Sequence, residues 1–337
     1  MQRIPFFLLL LLLVACGPHR QEEQPRQQIL AAVKTTPVRD QGNSSLCWVY
    51  AMLGTIESEH LQRGDSVCLS PAFLARRIIE RQATDYYFSR QQHPITLRGT
   101  ASMALDALRQ DGIVPYDSYP DRPGTNYGVL CQQIEHLADV AAAQGRGLQW
   151  FREQMEEQLD ETLGALPAPH VYMLGAEYTR GEFARSVCAP HEYKALTSFT
   201  HHPFYTSFAL EIPDNRYQDT FYNIPLDSLM ANINRHLRHG HPVCWEGDIS
   251  NPYFGQKLFC DIPAKTITQG SRQRAFERLE TTDDHAMVIV GIIRHHGRLY
   301  YVMKNSWGTE WGRHGFICLS ENYLRQNTIA VWENGKK

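Results

Sequence analysis

The sequence has no long block of basic residues, no C-x-x-C pair, no internal repeat and no low-complexity tract. Its 33 Lys and Arg stand against 36 Asp and Glu, a net charge of -3, which leaves a nucleic-acid partner without support. Without a C-x-x-C pair a zinc ribbon lacks its ligand spacing. What is there reads as ordinary globular protein: 43% apolar, 20% charged and 11% aromatic residues over 337 positions, with nothing that suggests disorder or a fibre. That length suits one large domain or two smaller ones.

The first residues read as export signal rather than fold. Arg3 supplies a positive start, and residues 4–14 form an apolar run that is short for a bilayer span. Leu13, Val14 and Ala15 precede Cys16, and this stretch resembles the bacterial lipobox. The resemblance implies a signal peptide over 1–15, cleavage before Cys16, and lipid on its thiol. The expected location is therefore exported and lipid-anchored, on a periplasmic or cell-surface face. Residues 16–36, largely polar, read as a tether to a domain over 37–337. Of the 8 cysteines, Cys68, Cys131, Cys188, Cys244, Cys260 and Cys318 carry no assigned task. They can pair in an exported chain or simply be buried thiols.

After a loop-like stretch at 38–46, the spacing of Val49, Met52, Leu53, Ile56 and His60 predicts a helix from about Cys47, with Ser44 or Ser45 as cap and Gly64 as stop. A second helix fits residues 102–110, ending at Gly112. Residues 134–166 hold two helical stretches, the later one acidic, and Leu226, Leu229, Met230, Ile233 and Leu237 share another face. Extended segments follow at 242–245, 286–293, 299–303, 315–319 and 328–332. Helices first and strands later suggest an α+β fold.

A Cys in the first turn of a helix meets free backbone N–H groups, which favour thiolate. A thiolate that attacks an amide also needs a proton partner, normally His, and the His needs a third group to fix its ring. His285 stands at the mouth of the buried 286–293 strand, and Asn305 at the end of the next. Adjacent antiparallel strands would set them side by side. Gln41, six residues before Cys47, can add a donor to an oxyanion hole. His236, His239 and His241 lie close in sequence but suit a helix end, and His201-His202 reads as structural; no metal and no organic cofactor is expected.

These segments together resemble the papain-like cysteine peptidases. Residues 41–50 (QGNSSLCWVY) resemble that family's nucleophile segment, residues 284–286 (DHA) its histidine strand, and residues 304–312 (KNSWGTEWG) its asparagine segment. Residues 99–119 resemble its glycine-then-helix segment. Residues 199–215, 222–247, 274–285 and 319–331 are similar to the bleomycin hydrolase branch. The resemblance implies a two-lobe α+β fold, with Cys47, His285, Asn305 and Gln41 as catalytic positions. It also implies substrate contacts at Gly99, Ala101, Asp284 and Trp307, and Trp307 and Trp311 as a lid beside Asn305. The expected substrate is a peptide or protein, cut through a thioester, with a lipid bilayer as second partner. An inactive peptide-binding lipoprotein and a thiol amidase or transferase on cell-wall peptides are the alternatives.

Departures from the pattern carry their own expectations. His285 follows Cys47 by 238 residues, where simple papains have about 130, so a helical region is expected as an insertion over about 122–196. Ser45-Leu46 replaces the usual Gly before the nucleophile. The segment after 331 is short beside the C-terminal arm of the bleomycin hydrolase branch, so N-blocked peptides are expected to be cut.

Overall fold

The computed structural model describes residues 27–173, 175–255, 257–263 and 266–335. The expected signal peptide, Cys16 and residues 336–337 lie outside them. Among the described residues no helix is long and apolar enough to cross a membrane.

Helix α1 (Cys47–Arg63) is the axis of the molecule. It ends where expected, at Gly64 in the left-handed conformation (φ 89°), but its start differs. Neither Ser44 nor Ser45 caps it; Leu46 holds that position without a side-chain bond. Nor is one face alone buried. Every residue from Trp48 to His60 is buried, because the helix lies between a sheet on one side and α2 (Pro71–Phe88) and α3 (Ala101–Asp111) on the other. Its buried polar residues are therefore paired: Glu57 accepts from Thr36 and from the Leu69 N–H, Thr55 and Ser58 donate to carbonyls one turn back, and Glu59 meets His241.

The expected insertion carries α4 (Tyr127–Ala143) and α5 (Gly147–Leu163). Phe151, Met155, Leu159 and Leu163 recur every four residues along α5, and this buried stripe packs on α4 and α2. Each such side chain contributes about 1.5–3 kcal/mol from burial. Arg76 of α2, 2% exposed, fastens the insertion by bonds to Glu80 Oε1 (2.9 Å), Asp160 Oδ1 (2.6 Å) and the Gly164 carbonyl (2.8 Å). Asp160 apart, the acidic residues of α5 point to solvent as expected. A hairpin of β2 (His170–Met173) and β3 (Ala176–Thr179) follows, then α6 (Arg180–Val187).

The second half builds the sheet. Its strands are β4 (Tyr193–Thr197), β5 (Ser207–Ala209), β6 (Thr220–Asn223), β7 (Val243–Gly247), β8 (Phe259–Cys260), β9 (His285–His295), β10 (Arg298–Lys304), β11 (Phe316–Ser320) and β12 (Thr328–Asn334). The order is β5-β6-β4-β12-β7-β9-β10-β11-β8, mostly antiparallel. Helices α7 (Leu226–Arg238), α8 (Gln269–Glu277) and α9 (Glu321–Asn327) lie between strands in the chain. The tether expected over 16–36 needs correction at its end: β1 (Gln28–Ala32) is an edge strand antiparallel to the far half of β9, and Val33 and Thr36 are buried. Residues 291–294 of β9 run past the end of β7 and leave backbone groups that β1 pairs.

The architecture is α+β, with a helical lobe and a strand-rich lobe. β12 runs away from the Cys47 end of the sheet. Thr328 lies opposite Gly247, which is beside His285, while Trp332 reaches Cys244 and Gly335 donates to the Glu192 carbonyl. Residues 332–335 thus sit in the sheet and not in the cleft.

Candidate active site

Three stretches that lie far apart in sequence meet at Cys47: the 38–46 loop with the start of α1, the start of β9 and the segment after β10. The loop over 38–46 is held against the segment after β10: Gln41 donates its backbone N–H to the Ser306 carbonyl (2.8 Å), and Gly308 donates to the Arg39 carbonyl (3.1 Å). The Gln41 side chain is fixed at both ends. Its Oε1 accepts from Ser306 Oγ (2.6 Å), and its Nε2 donates one hydrogen to the Ser44 carbonyl (2.6 Å), leaving the second for another acceptor. Cys47 opens α1, half-buried, with no side chain capping the N–H groups around it. His285 opens β9, and Asn305 follows β10, its antiparallel neighbour.

The hydrogen bonds fix the tautomer of His285. Asn305 Oδ1 accepts the Ser306 N–H (2.8 Å), so it is an acceptor toward His285 Nε2 as well, at 2.8 Å. Nε2 therefore carries the ring proton, and the lone pair is on Nδ1. Cys47 Sγ lies against the Ala286 and Trp48 N–H groups. Trp307 covers His285, ring centroids 4.6 Å apart, and Trp311 and Phe254 back it at 4.8 and 6.1 Å. The aromatic cover keeps water from the His285–Asn305 bond.

Burial opposes either charge taken alone. It pushes the Cys47 thiol up to about 12 against the pull of the Ala286 N–H, with Glu246 and Asp283 adding to the rise. It also lowers His285 to about 4, partly offset by Asn305. The thiol shift corresponds to about 4 kcal/mol. A helix terminus supplies about 0.3–1 kcal/mol, at most about 2. The helix end alone, on which the sequence reading rested the thiolate, does not win. Moving the Sγ proton to Nδ1 instead makes an ion pair, leaves the net charge of the site unchanged, and avoids the cost of one uncompensated buried charge.

Residues 264–332 match the papain family cysteine protease model. Aminopeptidase W of Lactobacillus delbrueckii subsp. lactis is 26% identical over 88% of this chain and 80% of that protein. Shorter stretches match the probable cysteine protease RDL6 of Arabidopsis thaliana (46% identity, 13% of this chain, 12% of that one) and cathepsin K of Gallus gallus (44%, 14% and 14%). The chain is thus similar to papain-family cysteine proteases in its C-terminal part and to aminopeptidase W over most of its length. The crystal structure of PepW from Lactobacillus rhamnosis shares the fold, with a TM-score of 0.67 at 16% identity over 91% of this chain and 82% of that one.

The cleft measures about 330 Å³ and is lined by Gln41, Cys47, Gly99, Asp284, His285 and Trp307, among others. A Cβ at Gly99 would displace Met103 Cε and sit 3.0 Å from the Trp48 ring, so Gly99 fits closely here. Asp284 takes the Ile249 N–H on Oδ1 (2.8 Å), and burial raises its carboxyl to about 6. Ala101 lies behind the cleft wall, fully buried, with its N–H given to Glu246 Oε1 (2.6 Å). The sequence reading missed Arg98, Asp214, Glu246 and Asp283, which also line the cleft. Glu246 left one signal: a charge inside the otherwise uncharged strand VCWEG.

The histidine clusters have other uses. His236 bonds Asn232 and Asn334 carbonyls and meets Glu333, His241 meets Glu59, and exposed His239 bonds the Arg235 carbonyl. The three do not converge. His201, His202 and Glu211 do come together. Yet the Thr200 N–H holds Gln273 Oε1 (2.6 Å), which turns Gln273 Nε2 onto His201 Nδ1 (3.0 Å). His201 Nε2 then carries its proton toward Glu211, and a protonated nitrogen is no metal ligand. Cys47, Cys68, Cys131, Cys244, Cys260 and Cys318 are thiols and form no disulfide.

Proposed function

We propose that this chain hydrolyses peptide bonds, with Cys47 as nucleophile, His285 as base and then acid, and Asn305 as the positioning residue. The supporting observation is the bond from His285 Nε2 to Asn305 Oδ1, which leaves the Nδ1 lone pair for the thiol proton. Sγ attacks the carbonyl carbon while its proton passes to Nδ1. The tetrahedral oxyanion is held by the Cys47 N–H and the second hydrogen of Gln41 Nε2. The C–N bond breaks as Nδ1 returns the proton to the leaving amine, and an acyl thioester remains. Water then attacks with His285 as base, the acid leaves, and the proton returns to Sγ.

Replacing Cys47 by Ala is expected to lower kcat/KM by at least about a thousandfold. Iodoacetamide at pH 6 is expected to label Cys47 ahead of the other cysteines, and His285→Ala to slow that labelling about tenfold or more. Labelling of Cys47 no faster than of the rest would overturn the reading. Similarity to aminopeptidase W supports peptide hydrolysis but not the end from which the chain cuts. N-blocked peptides are expected to be cut; turnover of free-amine peptides alone would refute this. The lipid anchor at Cys16 rests on the residues LVAC. Its test is incorporation of labelled palmitate by the full chain, lost in Cys16→Ser.

A further inference from the structure

Beside Cys47 the cleft holds two carboxylates that the proposed hydrolysis does not use. Glu246, on β7 and 1% exposed, spends Oε1 on the Ala101 N–H and has no partner for Oε2. Asp283, just before β9 and 7% exposed, has no partner for Oδ2. Both line the cleft with Gly99, Arg98, Asp214 and Asp284. Arg98 does not neutralise them: it gives its Nε–H to Asp214 Oδ1 (2.7 Å) and a guanidinium N–H to the Asp283 backbone carbonyl (3.1 Å). Buried carboxylate oxygens without partners cost free energy unless a donor arrives. Burial first, then the Asp283 charge on Glu246 and the Asp214 and Asp284 charges on Asp283, push both carboxyls well above their ordinary range, with Arg98 only partly offsetting this at Asp283. A metal ion fits poorly, since three ligand atoms do not close together here among the described residues.

We propose that Glu246 and Asp283 form a cation subsite that takes an ammonium or guanidinium group of the substrate, on the acyl side of the scissile bond. This rests on the Cys47 reading. Trp307 lies against His285, and the leaving amine is assigned to that part of the lining, where His285 protonates it. Arg98, Gly99, Glu246 and Asp283 form another part of the lining, tied together by the Arg98–Asp283 and Ala101–Glu246 bonds, and the acyl part is assigned to it. An N–H-bearing cation there satisfies Glu246 Oε2 and Asp283 Oδ2 at once, in charge-assisted bonds.

The test uses the full chain and five fluorogenic peptide amides. Three are N-acetylated, with a single Arg at the first, second or third position before the scissile amide. One is acetylated and neutral, and one is neutral with a free amine. The subsite predicts that at least one cation-bearing peptide exceeds the acetylated neutral parent at least tenfold in kcat/KM. Glu246→Gln should bring that ratio below threefold, and Asp283→Asn provides the same reading where Glu246→Gln does not fold. A winning Arg peptide assigns the cation to a side chain, and a winning free amine to the substrate N-terminus. Equal rates for all five, or a preference that survives both substitutions, would overturn the proposal. Should no peptide be cut, the Cys47 reading fails by itself. Calorimetry on Cys47→Ala then decides the subsite: it stands on tenfold tighter binding of an Arg peptide that Glu246→Gln abolishes, and falls otherwise.

Discussion

Arg76 and Glu246 are both buried charges, and the protein treats them in opposite ways. Arg76, under the helical insertion, bonds two carboxylates and a backbone carbonyl. Burial opposes its charge, but Tyr119, Asp160 and Glu80 outweigh it and keep the guanidinium charged. Glu246, in the cleft, bonds one backbone N–H and stands near a second carboxylate with an open oxygen. The first arrangement is closed and holds an element in place. The second is open and is stable only as a neutral acid or with a cation. A structural charge is completed by its own chain, whereas a binding charge leaves completion to a ligand.

The largest test of this contrast is Arg76→Met. It removes three bonds to charged or carbonyl acceptors, although Glu80 keeps Arg77 and the Gly164 carbonyl keeps the Tyr119 hydroxyl, and should cost about 3–5 kcal/mol in denaturant unfolding. A cost below about 1 kcal/mol would mean that the insertion is held by its apolar stripe alone.

Next comes the pH dependence of the cleft. His285 titrates near 4 when folded and near 6.5 unfolded. Above pH 6.5 neither state binds the proton, and stability is unaffected. Between 6.5 and 4 the unfolded chain binds it and the folded chain does not, so stability falls as pH falls, by about 3 kcal/mol once below 4. Unfolding of His285→Gln should lack this loss, so the stability of the variant relative to the parent should rise from pH 7 to pH 4.

Glu246→Gln should have a smaller effect of the opposite kind. Its carboxyl is raised in the folded state, so the parent loses stability as pH rises above the ordinary Glu value. The variant, which cannot ionise, should be more stable at pH 7 by about 1 kcal/mol. A destabilised variant would indicate that Glu246 is satisfied like Arg76. The smallest effect is expected from Asp160→Asn. Asp160 is 46% exposed, and Glu80 and the Gly164 carbonyl remain for Arg76, so thermal unfolding should register less than about 1 kcal/mol.

Local signals were readable where one segment carries its own pattern. Gly64, Gly112 and Gly240 mark the ends of α1, α3 and α7, and the apolar run at 286–293 marks β9. Helix α2 escaped despite Ser70 as cap and Pro71 at its first position, because it is packed on several sides and its sequence PAFLARRIIERQATDYYF shows no single stripe. Strand β1 escaped because five residues, QILAA, show little until β9 offers an unpaired edge.

By itself the sequence determined the positions that come together around the thiol. Cys47 at a helix start, His285 at a strand mouth, and Asn305 and Gln41 within their own segments are each set by near neighbours in the chain. Only the tertiary structure decided the environment those groups meet. Desolvation by the packed lobes raises the Cys47 thiol and lowers the His285 imidazole, so that either charge alone is costly. Convergence of β7, the segment before β9 and the Arg98–Gly99 turn sets the acidic wall. Burial and the distance between charges are properties of packing, and segments more than a hundred residues apart do not announce in sequence that they will share a cleft.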